Sequence, residues 1–265
     1  MIRFLPEADF RLEKGCLLFP ASGTQIYGYA SRYGGGFPFC TSWAIEDEKG
    51  ETVGALGRFN GSLRLSCGSL EPSMLRELGD FLAVLSWDTL EGPAGVVEEL
   101  AMARGLNGPG HILWGYAMER RERTPCLIPE GPPILEGPEL SEVFWILRGS
   151  APEFAGINEM EWRRDASHML RHGGGLYISA GGQAVAGITA YAPGWGLIAQ
   201  VATLPESRGR GYASALTAWC VNILLETGRG AVLLCGDGNN AAERIYKRLG
   251  FAQTGRFAVL TRDSF

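Results

Sequence analysis

The stretch from Leu197 to Gly250 constrains this chain more than any other, and its centre is the hexapeptide Arg208-Gly-Arg-Gly-Tyr-Ala213. An apolar run, Leu197-Ile-Ala-Gln-Val-Ala-Thr-Leu204, precedes it, reads as a strand and ends at Pro205. Behind it Ala213, Leu216, Cys220, Ile223 and Leu224 fall at helical spacing, which predicts an amphipathic helix over 211–227. A glycine-rich loop therefore joins a strand to the first turn of a helix. Such a junction brings N–H groups that lack an intrahelical partner together with the positive end of the helix dipole, which suits a phosphate. Gly209 and Gly211 let the main chain come close to an anion, and Arg208 and Arg210 add charge.

A Gly-x-Gly pair by itself marks many tight turns. Here the spacing is Arg-x-x-Gly-x-Ala, and about 26 residues further on comes Asn239-x-x-Ala242-x-x-x-Tyr246-x-x-Leu249-Gly250-Phe251. In this order and separation the two motifs resemble the signatures of the GNAT superfamily, the acetyl-coenzyme A dependent N-acetyltransferases. The resemblance covers roughly residues 132–265. It implies that Arg208, Gly209, Arg210, Gly211, Tyr212, Ala213 and Ser214 hold the pyrophosphate of acetyl-coenzyme A. It implies also a bulge in the preceding strand, which splays from Ala231-Val-Leu-Leu-Cys235 so that the pantetheine arm pairs with the main chain of Val201, Ala202 and Thr203. One amide there would face the oxyanion formed as an amine attacks the thioester. Asn239 would contact the cofactor, and Tyr246 would protonate the departing thiolate. A phenol of pKa about 10 can do so for a thiolate whose thiol pKa is about 8.5.

The chain also repeats itself. Gly34-Gly-Gly36 opens the run Phe37–Ile45, and a charged turn leads into Thr52–Leu56; Gly173-Gly-Gly175 opens Leu176–Ser179, and Gly181-Gly182 leads into Ala184–Ile188. Strands follow at Ser62–Ser66 and Gly196–Val201, then helices at 74–85 and 211–227. A helix over 96–104 closes at Gly105 before a strand over 111–117, and one over 241–249 closes at Gly250 before a strand over 251–260. The expectation is an α/β (α+β) fold of tandem, GNAT-like, mixed and twisted sheets flanked by helices. Its first domain would span 1–125 and its second, carrying the cofactor motif, 126–265, with a polar junction over 119–133. The first half lacks the motif. Met74-Leu-Arg-Glu-Leu78 replaces the glycine loop, and aligning Gly105 with Gly250 sets Ala101 opposite Tyr246 and Ala94 opposite Asn239.

Composition narrows the remaining choices. A chain of 265 residues with 46% apolar residues can bury a sizeable core, and a net charge of −5 argues against a general nucleic-acid or anionic-membrane binder. The start breaks its apolar character too soon for a signal peptide, and no run approaches a membrane span, so a cytoplasmic protein is expected. Six cysteines without Cys-x-x-Cys spacing read as buried free thiols in a reducing compartment.

Other candidates stand beside their structural readings. Asn240 with Glu243 three residues on fits a capping box, which leaves Asn239 free, and the resemblance puts it on the cofactor. A lysine-like amine is neutral in only about one molecule in a thousand at pH 7. Some relatives carry a glutamate on the strand before the loop to take its proton, where this chain has Gln200 and no acid between Leu197 and Leu204. Glu206 is expected in solvent, and Glu159, Glu161 and Asp165 are candidate substrate contacts on a helix over 158–171. His168 and His172 stand at metal-ligand spacing without a third ligand, so no metal is expected. Cys235 reads as a small buried residue, and the run Arg120-Arg-Glu-Arg123 as solvated. The expected activity is acetyl transfer from acetyl-coenzyme A to the primary amine of a small molecule or peptide. The alternative is an acyl-coenzyme A sensor or scaffold without turnover, and a longer acyl or aminoacyl donor also remains open. Neither the acceptor nor the oligomeric state can be read from these residues.

Overall fold

The computed structural model describes residues 1–34, 36–106, 111–127 and 130–262, so Gly35 of the first glycine triplet and residues 128–129 of the expected junction lie outside the described residues. The first half runs β1 (Ile2–Leu5), α1 (Phe10–Cys16), α2 (Pro20–Tyr33), β2 (Gly36–Phe37), β3 (Cys40–Glu46), β4 (Thr52–Phe59), β5 (Ser62–Cys67), α3 (Pro72–Val84), β6 (Thr89–Pro93), α4 (Ala94–Met102) and β7 (Ile112–Arg120). The second runs β8 (Ile134–Glu136), α5 (Leu140–Ser150), α6 (Glu159–Arg171), β9 (Leu176–Ala180), β10 (Ala184–Ala192), β11 (Trp195–Thr203), α7 (Tyr212–Glu226), β12 (Gly230–Gly236), α8 (Asn240–Arg248) and β13 (Ala252–Thr261). Three strands, a helix, a strand, a helix and a strand thus follow one another in each half, β3 to β7 and β9 to β13, in mixed sheets flanked by helices.

The chain forms two compact units, and they do not follow halves divided after residue 125. The first unit is Met1–Met118 with Leu234–Asn239 and the segment from Gln253 onward; the second is Glu119–Leu233 with Asn240–Ala252. The physical reason is the terminal strand. β13 pairs antiparallel with β6, Phe257 opposite Pro93 and Thr261 opposite Thr89, and so belongs to the first unit.

In the first unit the strand order is β1-β3-β4-β5-β6-β13-β7, with β2 as a hairpin on β3. Side chains alternate across the strands. Leu5, Ala44 and Ala55 meet Leu12, Cys16 and Ile26 of α1 and α2 on one face. Trp43, Ile45 and Leu65 meet Leu78, Leu82 and Leu100 of α3 and α4 on the other. α1 starts at Asp9, whose carboxylate accepts from the amides of Arg11 at 2.9 Å and Leu12 at 3.2 Å and from the Arg11 guanidinium. Partial burial pushes this carboxyl up, but Arg11 and the two amides outweigh burial and hold it below the ordinary carboxylate range. A lowered folded pKa stabilises the fold above the unfolded value, and the benefit disappears as pH falls through the folded one. Asp9→Ala is therefore expected to cost about 1 kcal/mol at pH 7, with the gap in melting temperature from the parent closing as a pH series descends below that range.

In the second unit the order is β12-β11-β10-β9-β8, antiparallel except where β11 meets β12. Phe144, Leu147 and Met169 of α5 and α6 pack on Tyr177, Val185 and Ala202 of the sheet, and each large side chain so buried contributes about 1.5–3 kcal/mol. α7 lies along β10 and β11, and α8 packs on α7.

Candidate functional site

β11 is an interrupted strand. Its ladder with β10 jumps from Ala202 opposite Val185 to Ala199 opposite Gly187, which leaves Gln200 and Val201 against Ala186 alone. Gln200 takes a left-handed conformation, φ +55°, in the middle of this bulge. On its other side β11 pairs parallel with β12 only from Trp195–Gly230 to Leu197–Val232. Beyond Leu197 no ladder partner remains on that side among the described residues. The strand thus presents main-chain groups, from Ile198 to Ala202, where a central strand would have spent them.

The chain then makes a short 3₁₀ turn at Pro205–Ser207, enters the exposed loop Arg208–Gly211 and starts α7. Gly209 and Gly211 have φ of +79° and +88°, and a Cβ on either would meet nothing within 4 Å. The first helical bond runs from the Ala215 amide to the Gly211 carbonyl at 3.0 Å, and no side chain caps the helix. The amides of Tyr212, Ala213 and Ser214 are therefore among those a helix start leaves without an intrahelical partner. Tyr212 is only 3% exposed, so the ring is core and the residue offers the loop its backbone alone. Arg208 folds back: its Nε donates to the Thr203 carbonyl and its Nη2 to the Ser150 carbonyl, both at 3.3 Å. It braces the loop against the ends of β11 and α5. Arg210 is exposed.

Tyr246 is buried in the last turns of α8, beside Phe251 with ring centroids 5.8 Å apart. The helix ends in a Schellman cap, with Phe251 N–H on the Tyr246 carbonyl and Gly250 N–H on the Lys247 carbonyl, both at 3.0 Å. α4 ends the same way, with Leu106 on Ala101 at 2.9 Å and Gly105 on Met102 at 3.1 Å. The two caps put Ala101 and Tyr246 at the same position, as the alignment through Gly105 and Gly250 predicts. Arg120, read from sequence as solvated, instead donates to the Gly250 carbonyl at 3.1 Å and to the carbonyls of Glu122 and Arg123 at 3.0 Å. With Thr124 Oγ1 on the Leu249 carbonyl at 3.2 Å, it anchors the end of the helix that carries Tyr246. A basic run gives no sequence signal for such a cap. α8 begins at Asn240, which puts Asn239 at the position before the helix and the expected Asn240–Glu243 box one residue out of register. Asn239 is exposed, and its amide donates to the Gly236 carbonyl at 3.2 Å.

Among its described residues the first half shares that helix cap but lacks the bulge and the glycine loop. The β4–β5 ladder runs without a shift from Gly54–Cys67 to Phe59–Ser62, and α3 opens on Glu71-Pro72. β5 and β6 part after Arg64–Glu91, but Gly92 packs so closely that a Cβ there would lie 2.8 Å from that of Leu65, so the space is filled.

The other candidates are ordinary surface or core. Glu206 is exposed; Glu159 pairs with Arg163 and Asp165 with Arg164, each at 3.4 Å. The rings of His168 and His172 stack at 4.2 Å. Among the described residues, no group of three His, Cys, Asp or Glu is arranged to hold a metal ion. All six cysteines are free, five of them buried, and burial pushes the Cys67 thiol up to about 12. No helix among the described residues is long and apolar enough to cross a membrane.

Comparisons with known proteins bear on the fold. The family model described as FR47-like protein matches residues 174–258, from the first strand of the second repeat to the last. A tandem GNAT protein from the clavulanic acid biosynthesis pathway is similar at a TM-score of 0.58 and 14% identity, over 100% of both chains. A GCN5-related N-acetyltransferase from Sphaerobacter thermophilus is similar at 0.59 and 13%, over 99% of this chain and 95% of its own. Another from Kribbella flavida is similar at 0.55 and 18%, over 80% and 87%. No curated protein matches the chain. Similarity at these identities establishes a shared fold, and that fold is the GNAT fold in tandem.

Proposed function

We propose that this chain, a GNAT-superfamily protein, moves an acetyl group from acetyl-coenzyme A to a primary amine by direct attack in a ternary complex, with the chemistry in its second half. One conjunction carries the reading: a strand bulged at Gln200 loses its parallel partner after Leu197 and runs straight into the glycine loop at the start of α7. The residues fit the donor. Open space lies before Gly209 and Gly211, and the hydroxyl of Thr203, at the end of the strand, is buried without a hydrogen-bond partner.

The thioester supplies the acetyl group and a thiolate leaving group. The amides from Gly209 to Ser214 hold the pyrophosphate with the charge of Arg210, while Arg208 stiffens the loop. The main chain of Val201, Ala202 and Thr203 aligns the pantetheine arm as an added strand and turns one amide to the oxyanion. Asn239 contacts the cofactor, and Tyr246 gives its phenolic proton to the thiolate. β11 carries no acid, so no side chain of this strand takes the acceptor's proton.

A second reading is a sensor that binds acyl-coenzyme A without turnover. Gln200 favours it, because an amide stands near the place where some relatives have a glutamate, and its oxygen is committed to the hydroxyl of Tyr177 at 2.6 Å. The test is to give the purified protein acetyl-coenzyme A with polyamine, amino acid and peptide acceptors and to follow free thiol. Amine-dependent thiol release supports transfer; a thermal shift with coenzyme A but no release supports the sensor. No response to millimolar coenzyme A rejects both.

A further inference from the structure

We infer that Tyr177 is a positioning residue: it reaches across β10 and clamps Gln200, and the clamp holds the β11 bulge in the shape the transfer needs. Its consequence for catalysis rests on the proposed function, while the clamp itself rests on geometry alone. Among the described residues, only Asn60 and Gln200 have positive φ without being glycine. Asn60 lies at the tip of the β4–β5 hairpin, where a left-handed asparagine is ordinary. Gln200 lies inside a strand, where a long side chain in that conformation is disfavoured and needs compensation.

The compensation comes from two strands away. Tyr177 on β9 stands opposite Gly187 on β10, and Gly187 stands opposite Ala199 on β11, the residue before Gln200. The hydroxyl crosses this row and donates to Gln200 Oε1 at 2.6 Å, a short bond of good strength. Two strand spacings come to about 9–10 Å, which a tyrosine and a glutamine together can bridge. The crossing requires a bare position at 187, because a Cβ there would lie 2.7 Å from the tyrosine ring. The ring has little room to move: Tyr177 is 2% exposed, with Trp162 on it at 5.9 Å between centroids. Gly187, Tyr177 and Gln200 therefore form one device, and its output is the backbone angle beside Val201.

If the clamp sets that angle, glycine at position 200 should make it unnecessary, since glycine adopts φ +55° unaided. The experiment compares Tyr177→Phe, Gln200→Gly and the double variant. Tyr177→Phe is expected to lower kcat at least tenfold, because a misaimed oxyanion donor costs rate rather than binding, with coenzyme A affinity within about threefold of the parent. The double variant should regain most of the lost kcat. Amide hydrogen exchange at residues 199–202 should quicken in Tyr177→Phe and slow again in the double variant, a readout independent of turnover. Unchanged kcat and exchange in Tyr177→Phe, or a double variant no better than the single, overturn the clamp. A parent protein that binds no coenzyme A overturns the proposed function instead, and exchange still decides the clamp.

Discussion

Tyr246→Phe is expected to lower kcat for amine acetylation about a hundredfold at saturating acceptor, while coenzyme A binds as before. The departing thiolate needs a proton, and the phenol is the only group that this substitution removes. Ring packing survives, since phenylalanine keeps the contact with Phe251, and the Schellman cap uses the backbone of residue 246 rather than its side chain. The helix end should therefore stay in place, held also by Arg120 on Gly250 and Thr124 on Leu249. A hundredfold loss is about 2.7 kcal/mol of transition-state stabilisation. Steady-state kinetics with a saturating amine, read beside a coenzyme A titration, separates the outcomes. Equal rates in parent and variant would remove the acid role and leave the fold untouched. A joint loss of rate and affinity would mean that Tyr246 binds the donor rather than protonating the leaving group.

The parts of this molecule that follow from local periodicity were legible from its residues. Three strands, two helices and a closing strand are legible in each half because alternation and 3.6-residue spacing are local properties, and Gly105 and Gly250 stop their helices by the same cap. What escaped is set by distant partners. β13 reads as the last strand of the second half, yet nothing in Ala252–Thr261 says that it will pair with β6. β6 itself, Thr-Leu-Glu-Gly-Pro, carries a glutamate, a glycine and a proline and looks like a turn until Leu90 is seen fully buried. In the site, the glycine loop announced itself because left-handed backbone demands glycine. The resemblance implied a bulge in the strand before it, but not its seat, which falls on a glutamine held by a tyrosine 23 positions away. Arg120 escaped for the same reason, since its carbonyl partner lies 130 residues along the chain.

Gly209→Ala with Gly211→Ala should raise the dissociation constant for coenzyme A about a hundredfold. Each glycine sits at a φ that costs an alanine about 1–2 kcal/mol, so each substitution either strains the loop or pulls it from its shape. A factor of ten per 1.4 kcal/mol then gives roughly tenfold for each position. The new methyl groups meet no protein atom within 4 Å, so they clash with nothing in the fold and stand in the open space before the loop. A control separates this from general strain. Gly228, at the far end of α7, has φ +74° and equally open surroundings. Gly228→Ala should cost the same stability and leave coenzyme A binding unchanged, as calorimetry and melting curves on the same samples can show. Equal losses of affinity at both ends of α7 would trace the effect to a weakened helix, and the loop would then have no special claim on the diphosphate. A loss confined to 209 and 211 would mean that the main chain at this entrance, bared by its two glycines, grips the ligand.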